Sequence, residues 1–324
     1  SELSESYIFE KIDTTDNKKF LFNLIKVLRS HADLFYFTIS QTRWGNLRDL
    51  VILKCLDLQR KKCLVHLHGG YYRKMVDNDL PKWQRRANYC AMGKVQGGIV
   101  LSESLRSIFQ GMLSDDKIHV VMNCVDTEFL PAQKQLTEKM QRPRNVLHIL
   151  YLSNFIRTKG YPIVLEMAKL EKSRMDGGKH QRYHFDFAGK FFEDSEKDYF
   201  EKYIKEYRLE QLVSYHGIVT GRKKAILLEK CNIFALPTRC PNEGQPISIL
   251  EAMGNGMYIL TTDHAGIPDI VVDGVHGTVT NEADTTAEKY LECLDSLTFK
   301  KIEQIGLYNA KICRENFVEQ RYIN

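Results

Sequence analysis

Glu243 and Glu251 stand eight positions apart in the stretch 237–256, PTRCPNEGQPISILEAMGNG. Gly244 and Pro246 keep a helix from starting earlier, and Pro246 suits a first helical position because its missing N–H has no use there. The spacing predicts a helix from Pro246 to about Met253, ended by Gly254 or Gly256. Glu243 then lies on the loop ahead of the helix, and Glu251 lies roughly 7.5 Å along it at 1.5 Å per residue. The amides near Pro246, Ile247 and Ser248 and the helix macrodipole favour a phosphate or diphosphate at that end. Glu251, one turn further on, could accept hydrogen bonds from sugar hydroxyls, as an acid grips the ribose in dinucleotide folds. Glu243 would face whatever lies beyond the phosphates. Two surface acids on an ordinary βα unit are the plainer alternative, and the Gly, Pro and strand context around them argues against it.

The rest of the chain alternates strands with helices. FLFNLIKVLR (20–29) has helical periodicity, LFYFTIS (34–40) is strand-like and LRDLVILKCLDL (47–58) is helical. CLVHLHGG (63–70) reads as a buried strand running into a glycine turn, so His68 sits at a strand end, where open α/β sheets place ligands. A helix over 80–94, the strand GGIVLS (97–102), a short helix and KIHVVMNCVD (117–126) follow. The polar segment PAQKQLTEKMQRPRN (131–145) carries two prolines and reads as a linker between two strand-rich halves. In the second half VLHILYL (146–152) leads into SNFIRTKGY, which sets Arg157 and Lys159 beside the same crevice edge as the glutamate helix. YHFDFAGK (183–190) reaches Gly189 and Lys190, where backbone close to a nucleotide needs a small residue. SYHGIVTG (214–221) and NIFALPT (232–238) are further strands. Such alternation implies parallel sheets with helices on both faces.

At 324 residues, two domains of about 150 residues are expected. A composition 43% hydrophobic and 27% charged is that of an ordinary globular protein. The longest apolar runs fall well short of the roughly 20 residues that span a bilayer, and no secretory signal opens the chain. The eight cysteines show no CxxC pair and no zinc spacing, which points to buried free thiols in a reducing cytoplasm. The +5 net charge lies wholly in residues 1–140, with 21 Lys+Arg against 16 Asp+Glu. That bias could meet anionic lipid heads or an acidic acceptor, but no basic block is dense enough for nucleic acid.

Glu243-GQPISIL-Glu251-A-M, followed by GMYILTTDHAGIPDIVVDG, resembles the E-x7-E signature of retaining glycosyltransferases of family 4, most closely the bacterial surface-polysaccharide branch. The resemblance implies a GT-B fold: an α/β protein of two Rossmann-like domains whose parallel sheets face a central cleft. Residues 1–140 would form the N-terminal acceptor domain and 141–300 the nucleotide-sugar donor domain, with 301–324 a C-terminal helix crossing back to the first. Family members begin with a buried strand and a Gly-rich loop that nothing in the opening SELSESYIFEKIDTTDNKK matches, so the first strand is read as missing. VMNCVD resembles the family's N-G-V-D element with Cys124 in place of glycine, a substitution that adds strain if that position needs positive φ.

The resemblance also implies roles. Lys159, and less closely Arg157, would clamp the donor diphosphate; His68 would orient a hydroxyl or meet the sugar through its backbone; Ile218 and Val219 would lie at the base. Gly244, Gln245, Pro246, Ile247 and Ser248 join the substrate set. Glu243 would touch the donor sugar and stabilise an oxocarbenium-like state, while Glu251 holds the ribose. The expected activity is transfer of a hexose from a UDP- or GDP-linked donor to a saccharide or lipid-linked acceptor, in the cytoplasm or peripherally at the inner membrane face. No DxD-like motif sits at a strand end, and fixed cations could replace a divalent ion, so metal-independent transfer without a cofactor is expected. A sugar-nucleotide epimerase and a non-catalytic sugar-nucleotide-binding protein are the alternatives.

Overall fold

The computed structural model describes residues 7–14 and 17–320. They form two compact units: the first runs to Met122 and includes Pro241–Gln245, and the second holds Asn123–Cys240 and the chain from Pro246. Residues 7–14 of the opening form neither helix nor strand, and the rest of that opening up to residue 16 lies outside the described residues.

The first unit contains α1 (Phe20–Arg29), β1 (Leu34–Thr38), α2 (Arg43–Leu58), β2 (Lys62–His66), the single turn α3 (Tyr72–Lys74), α4 (Lys82–Met92), β3 (Gly97–Val100) and β4 (Ile118–Val120). Its four strands lie parallel in chain order. Thr42 caps α2 by accepting from the Gly45 amide, which starts that helix ahead of the expected residue 47. Asn46 of α2 and Asn88 of α4 exchange side-chain hydrogen bonds of 2.7 and 2.9 Å, and the Tyr72 hydroxyl donates to Asn88 at 2.8 Å. These buried amides satisfy one another and so fix how the helices cover the sheet.

The second unit opens with α5 (Gln133–Gln141) and continues through β5 (Leu147–Leu152), α6 (Tyr161–Asp176), β6 (Tyr183–Ala188), α7 (Asp194–Glu206), β7 (Val213–Tyr215), α8 (Gly221–Lys230) and β8 (Ile233–Leu236). It closes with α9 (Ile247–Gly254), β9 (Tyr258–Thr262), β10 (Gly277–Thr280), α10 (Ala287–Asp295) and α11 (Phe299–Asn316). The six strands are parallel in the order β7-β6-β5-β8-β9-β10. Numbered within the unit this is 3-2-1-4-5-6, the doubly wound order that reverses direction between its first and fourth strands.

Two boundaries differ from the sequence expectation. The units divide after Met122, not near residue 140, because the supposed linker is anchored in the second unit: Leu136 and Lys139 of α5 are buried, and the Lys139 ammonium donates to the carbonyls of Leu228 and Asn255 at 3.0 and 2.8 Å. Within the stretch expected to cross back to the first domain, Phe299–Asn316 form α11 packed on α9, and residues beyond 320 lie outside the described residues. Gly306 allows that approach, since a Cβ there would lie 2.1 Å from the Gly256 carbonyl oxygen. Cys124 shows no positive φ; among the described residues only Arg60, Arg208 and Ala265 do so without being glycine. Of the eight free cysteines Cys63, Cys231, Cys240 and Cys313 are buried, whereas Cys90 is exposed on α4. No helix among the described residues is long and apolar enough to cross a membrane.

Candidate functional site

The reversal of strand order lies between β5 and β8, and in an open parallel sheet the loops leaving two such strands diverge to opposite faces and leave room for a ligand at their carboxyl ends. The loop after β5 carries Arg157–Lys159 as a 3-10 turn, and the loop after β8 leads to α9. The two are tied together. The Arg239 amide donates to the Thr158 carbonyl at 2.6 Å, and a Cβ on Gly160 would lie 2.2 Å from the Pro237 carbonyl oxygen. Gly160 also holds φ +86°, a left-handed conformation that glycine adopts without penalty. The Lys159 turn is therefore fixed against the chain that leaves β8.

Pro246 caps α9 rather than opening it, because its ψ of 114° keeps it extended, and no side chain caps the helix. Ile247 is exposed and Ser248 half-buried at its first turn. Glu251, in the same helix, is buried and accepts from the Lys224 ammonium of α8 at 2.5 Å. Burial raises the Glu251 carboxyl pKa, Lys224 pulls it back down, and the charge of Asp126 pushes it up again. Lys224 lies 4.3 Å over the Phe129 ring, whose residue gives its carbonyl to the Asn255 side chain at 2.8 Å. Sequence reasoning missed Lys224. Its signal was position: Arg222 and Lys223 are exposed, but Lys224 lies one turn before the buried pair Leu227 and Leu228 and so shares the inward face of α8.

Glu243 and Gln245 are buried, and with Gly244 they belong to the first unit, apart from Glu251 in the second. Their loop lies on the turn after β2: a Cβ on Gly244 would come within 2.3 Å of the His68 carbonyl oxygen, and one on Gly69 within 2.5 Å of the Asn242 carbonyl oxygen. The structure thus brings Glu243's loop and His68 together. His68 lies 4.0 Å, ring to ring, from His66, and burial lowers its pKa. His66 is pushed down to about 4 by burial and then by the neighbouring His68; the Tyr36 hydroxyl meets its Nδ1.

At the carboxyl ends of β6 and β7 the Gly189 amide donates to the Gly217 carbonyl at 2.8 Å and the Tyr215 hydroxyl to the Gly189 carbonyl at 2.9 Å. Gly189 admits no side chain, because a Cβ would stand 1.9 Å from the Ser153 carbonyl oxygen. That joins Gly189 and Lys190 to the Ile218–Val219 loop, where Ile218 is exposed. Arg157 lies on the expected loop and its side chain turns to α7. Its guanidinium lies 4.2 Å over the Tyr199 ring and 3.4 Å from the Glu196 carboxylate, so α7 holds it.

A family model described as glycosyl transferases group 1 matches residues 132–304, more than half of the chain. The chain belongs to the glycosyl transferases group 1. The match in this group 1 transferase begins in the α5 region and takes in every strand of the second sheet. The chain is 28% identical over 208 residues to an uncharacterized 41.2 kDa protein in the cps region of Klebsiella pneumoniae, covering 63% of this chain and 51% of that one. It is 26% identical over 177 residues to the putative colanic acid biosynthesis glycosyltransferase WcaL of Escherichia coli, covering 53% of this chain and 40% of that one. The transferase therefore spans about half or less of these curated relatives' length. Among solved structures it is similar to HepE of Anabaena in complex with UDP, with a TM-score of 0.71 and 17% identity over 91% of this chain and 78% of that one. That likeness carries the fold, which is GT-B: two parallel-sheet α/β units.

Proposed function

We propose that this group 1 transferase moves a hexose from a nucleoside diphosphate sugar, UDP- or GDP-linked, to a saccharide or lipid-linked acceptor with retention of configuration, as in family 4. The observation that carries this reading is the tie between the Lys159 turn and the residues leaving β8 at the strand-order reversal. It ties the Lys159 turn to the start of the loop that leads from β8 to α9, a helix that no side chain caps and in which Glu251 is buried one turn along. In that arrangement Lys159 and the α9 amides meet the charge that grows on the departing diphosphate. Glu251 accepts the ribose hydroxyls, Gly189 and Ile218–Val219 flank the base, and Glu243 with His68 meets the donor sugar. Arg157, held on α7, contributes less than Lys159. The charge is met by fixed groups, so transfer proceeds without a divalent ion. The likeness to a putative colanic acid biosynthesis glycosyltransferase supports a role in surface polysaccharide synthesis, and UDP bound in HepE supports the donor class. The cytoplasm, with peripheral contact at the inner membrane face, is the compartment that fits.

The test is a panel of nucleotide sugars incubated with saccharide and lipid-linked acceptors, with the product anomer read by NMR. One donor should be consumed only when acceptor is present, and without added metal. Conversion of donor alone to an epimer, or binding without turnover on any acceptor, would displace this reading.

A further inference from the structure

A second constellation of chemistry-bearing side chains lies on the same sheet but away from the loops described above. His148 of β5 and His184 of β6 are direct partners in register, and Asp186 follows two residues later opposite Leu150. Side chains alternate along a strand, so all three share one face of the sheet. His148 Nδ1 lies 2.7 Å from one Asp186 oxygen, and the ligand atoms of the three residues fall within 4.8 Å of one another. Asp186 is fully buried, its other oxygen meeting His216 Nε2 at 2.7 Å and the Lys230 ammonium at 3.0 Å. His184 Nε2 is 2.9 Å from the Ser214 hydroxyl.

We infer that His148, His184 and Asp186 form a binding site for a divalent ion of the late first-row class, zinc being the nearest match. Two imidazoles and a carboxylate suit zinc or its neighbours, whereas magnesium and calcium want oxygen ligands alone. Zinc bonds of about 2.1 Å put tetrahedral ligands about 3.4 Å apart, so rotation of these side chains closes the set. Water fills the fourth position. His216, on the second carboxylate oxygen, orients Asp186, as outer partners commonly orient a metal-bound group.

Binding balances simply. As His148 Nδ1 takes the metal, the hydrogen it held toward Asp186 is carried on Nε2 instead, so the ring stays a neutral imidazole and no net proton is lost, while the Lys230 ammonium keeps its protons and turns outward. Lys230 can do so because its side chain is 42% exposed. A cavity of about 440 Å³ lined by Lys230, Arg142, Arg144 and Glu229 among others reaches His148 of the set. The site does not depend on the proposed transfer. Its strands run on into the transfer loops: β5 toward Lys159, β6 toward Gly189, and His216 directly precedes Gly217.

The test uses the full chain, untagged and treated with chelator. Calorimetric titration with Zn²⁺ should give one site per chain with micromolar or tighter affinity, and Co²⁺ should give the visible absorption of a four-coordinate site. One equivalent of Zn²⁺ should displace that cobalt band, and millimolar Mg²⁺ should not. His184→Ala and His148→Gln should each weaken Zn²⁺ binding at least tenfold, while His180→Ala, at an exposed histidine of the same unit, should not. Either variant suffices if the other fails to fold. Absence of stoichiometric Zn²⁺ binding, or binding that a folded His184 or His148 variant leaves unchanged, overturns the inference.

Discussion

The Lys224 ammonium donates to Glu251 Oε1 across 2.5 Å, with only 19% and 5% of the two side chains open to solvent. A carboxylate buried to that degree is costly unless a charge partner meets it, and here one oxygen is met from inside the unit. α11 braces the helix from behind, where Cys313 donates to the Leu250 carbonyl at 3.3 Å and Arg314 to that of Gly254 at 3.2 Å. Glu251 is thus held in place before any ligand arrives.

Replacing Glu251 by alanine removes the carboxylate proposed to accept the ribose hydroxyls and strands Lys224. Nucleoside diphosphate affinity should fall by about 10- to 100-fold, the worth of about 1.5–3 kcal/mol for hydrogen bonds to a charged group. The melting temperature should fall as well. Lys224→Met should lower stability without so large a loss of affinity, as read by calorimetry and thermal unfolding of both variants.

Lys159→Ala should act on rate more than on binding. A cation that meets charge growing on a leaving diphosphate is worth roughly 10²–10³ in turnover. Steady-state kinetics with the best donor should show kcat falling by that order while KM changes little. A large rise in KM with kcat intact would place Lys159 in ground-state binding instead.

Gly160→Ala meets two obstacles, the left-handed φ of +86° and the Pro237 carbonyl oxygen 2.2 Å from the new Cβ. The expected cost is on the order of 1–3 kcal/mol, measured by urea unfolding. Turnover should also fall, since relief of the clash shifts the Lys159 turn. Gly178→Ala has a left-handed φ but nothing near its Cβ, and should cost less with turnover unchanged.

His66 sets a pH dependence. Its pKa is lowered to about 4 from 6.5, so the unfolded chain takes up a proton that the folded chain refuses. The stability it contributes is therefore complete above about pH 6.5 and is lost as the pH falls toward 4, where that loss levels off. Unfolding free energies between pH 4 and 7 should show a shallower slope in His66→Asn than in the native chain.

How much of this was legible beforehand follows from what kind of signal each residue carries. The strand and helix alternation, the helix after Gly244 and the seat of Lys159 rest on local patterns, hydrophobic period and Gly-Pro punctuation, which the chain displays in order. The anchoring of 131–145 was hidden because Lys139 looks like any lysine on a polar helix, and only its burial against two distant carbonyls reveals it. The contacts of Arg157 were hidden for the same reason: Glu196 and Tyr199, which it meets, are remote in sequence. The His148, His184 and Asp186 set lies on two strands, so only the register of the sheet brings it together. Lys224 lay between these cases, since helical spacing carried its inward direction but not its partner.

The most direct measurement of the central claim is calorimetric titration of UDP and of GDP into the native chain and into Glu251→Ala. One of the two nucleotides should bind the native chain at a single site with micromolar affinity, and the variant should lose at least about tenfold of it. Equal affinity in a folded Glu251→Ala, or no binding of either nucleotide to the native chain, would contradict a diphosphate seat at the start of α9.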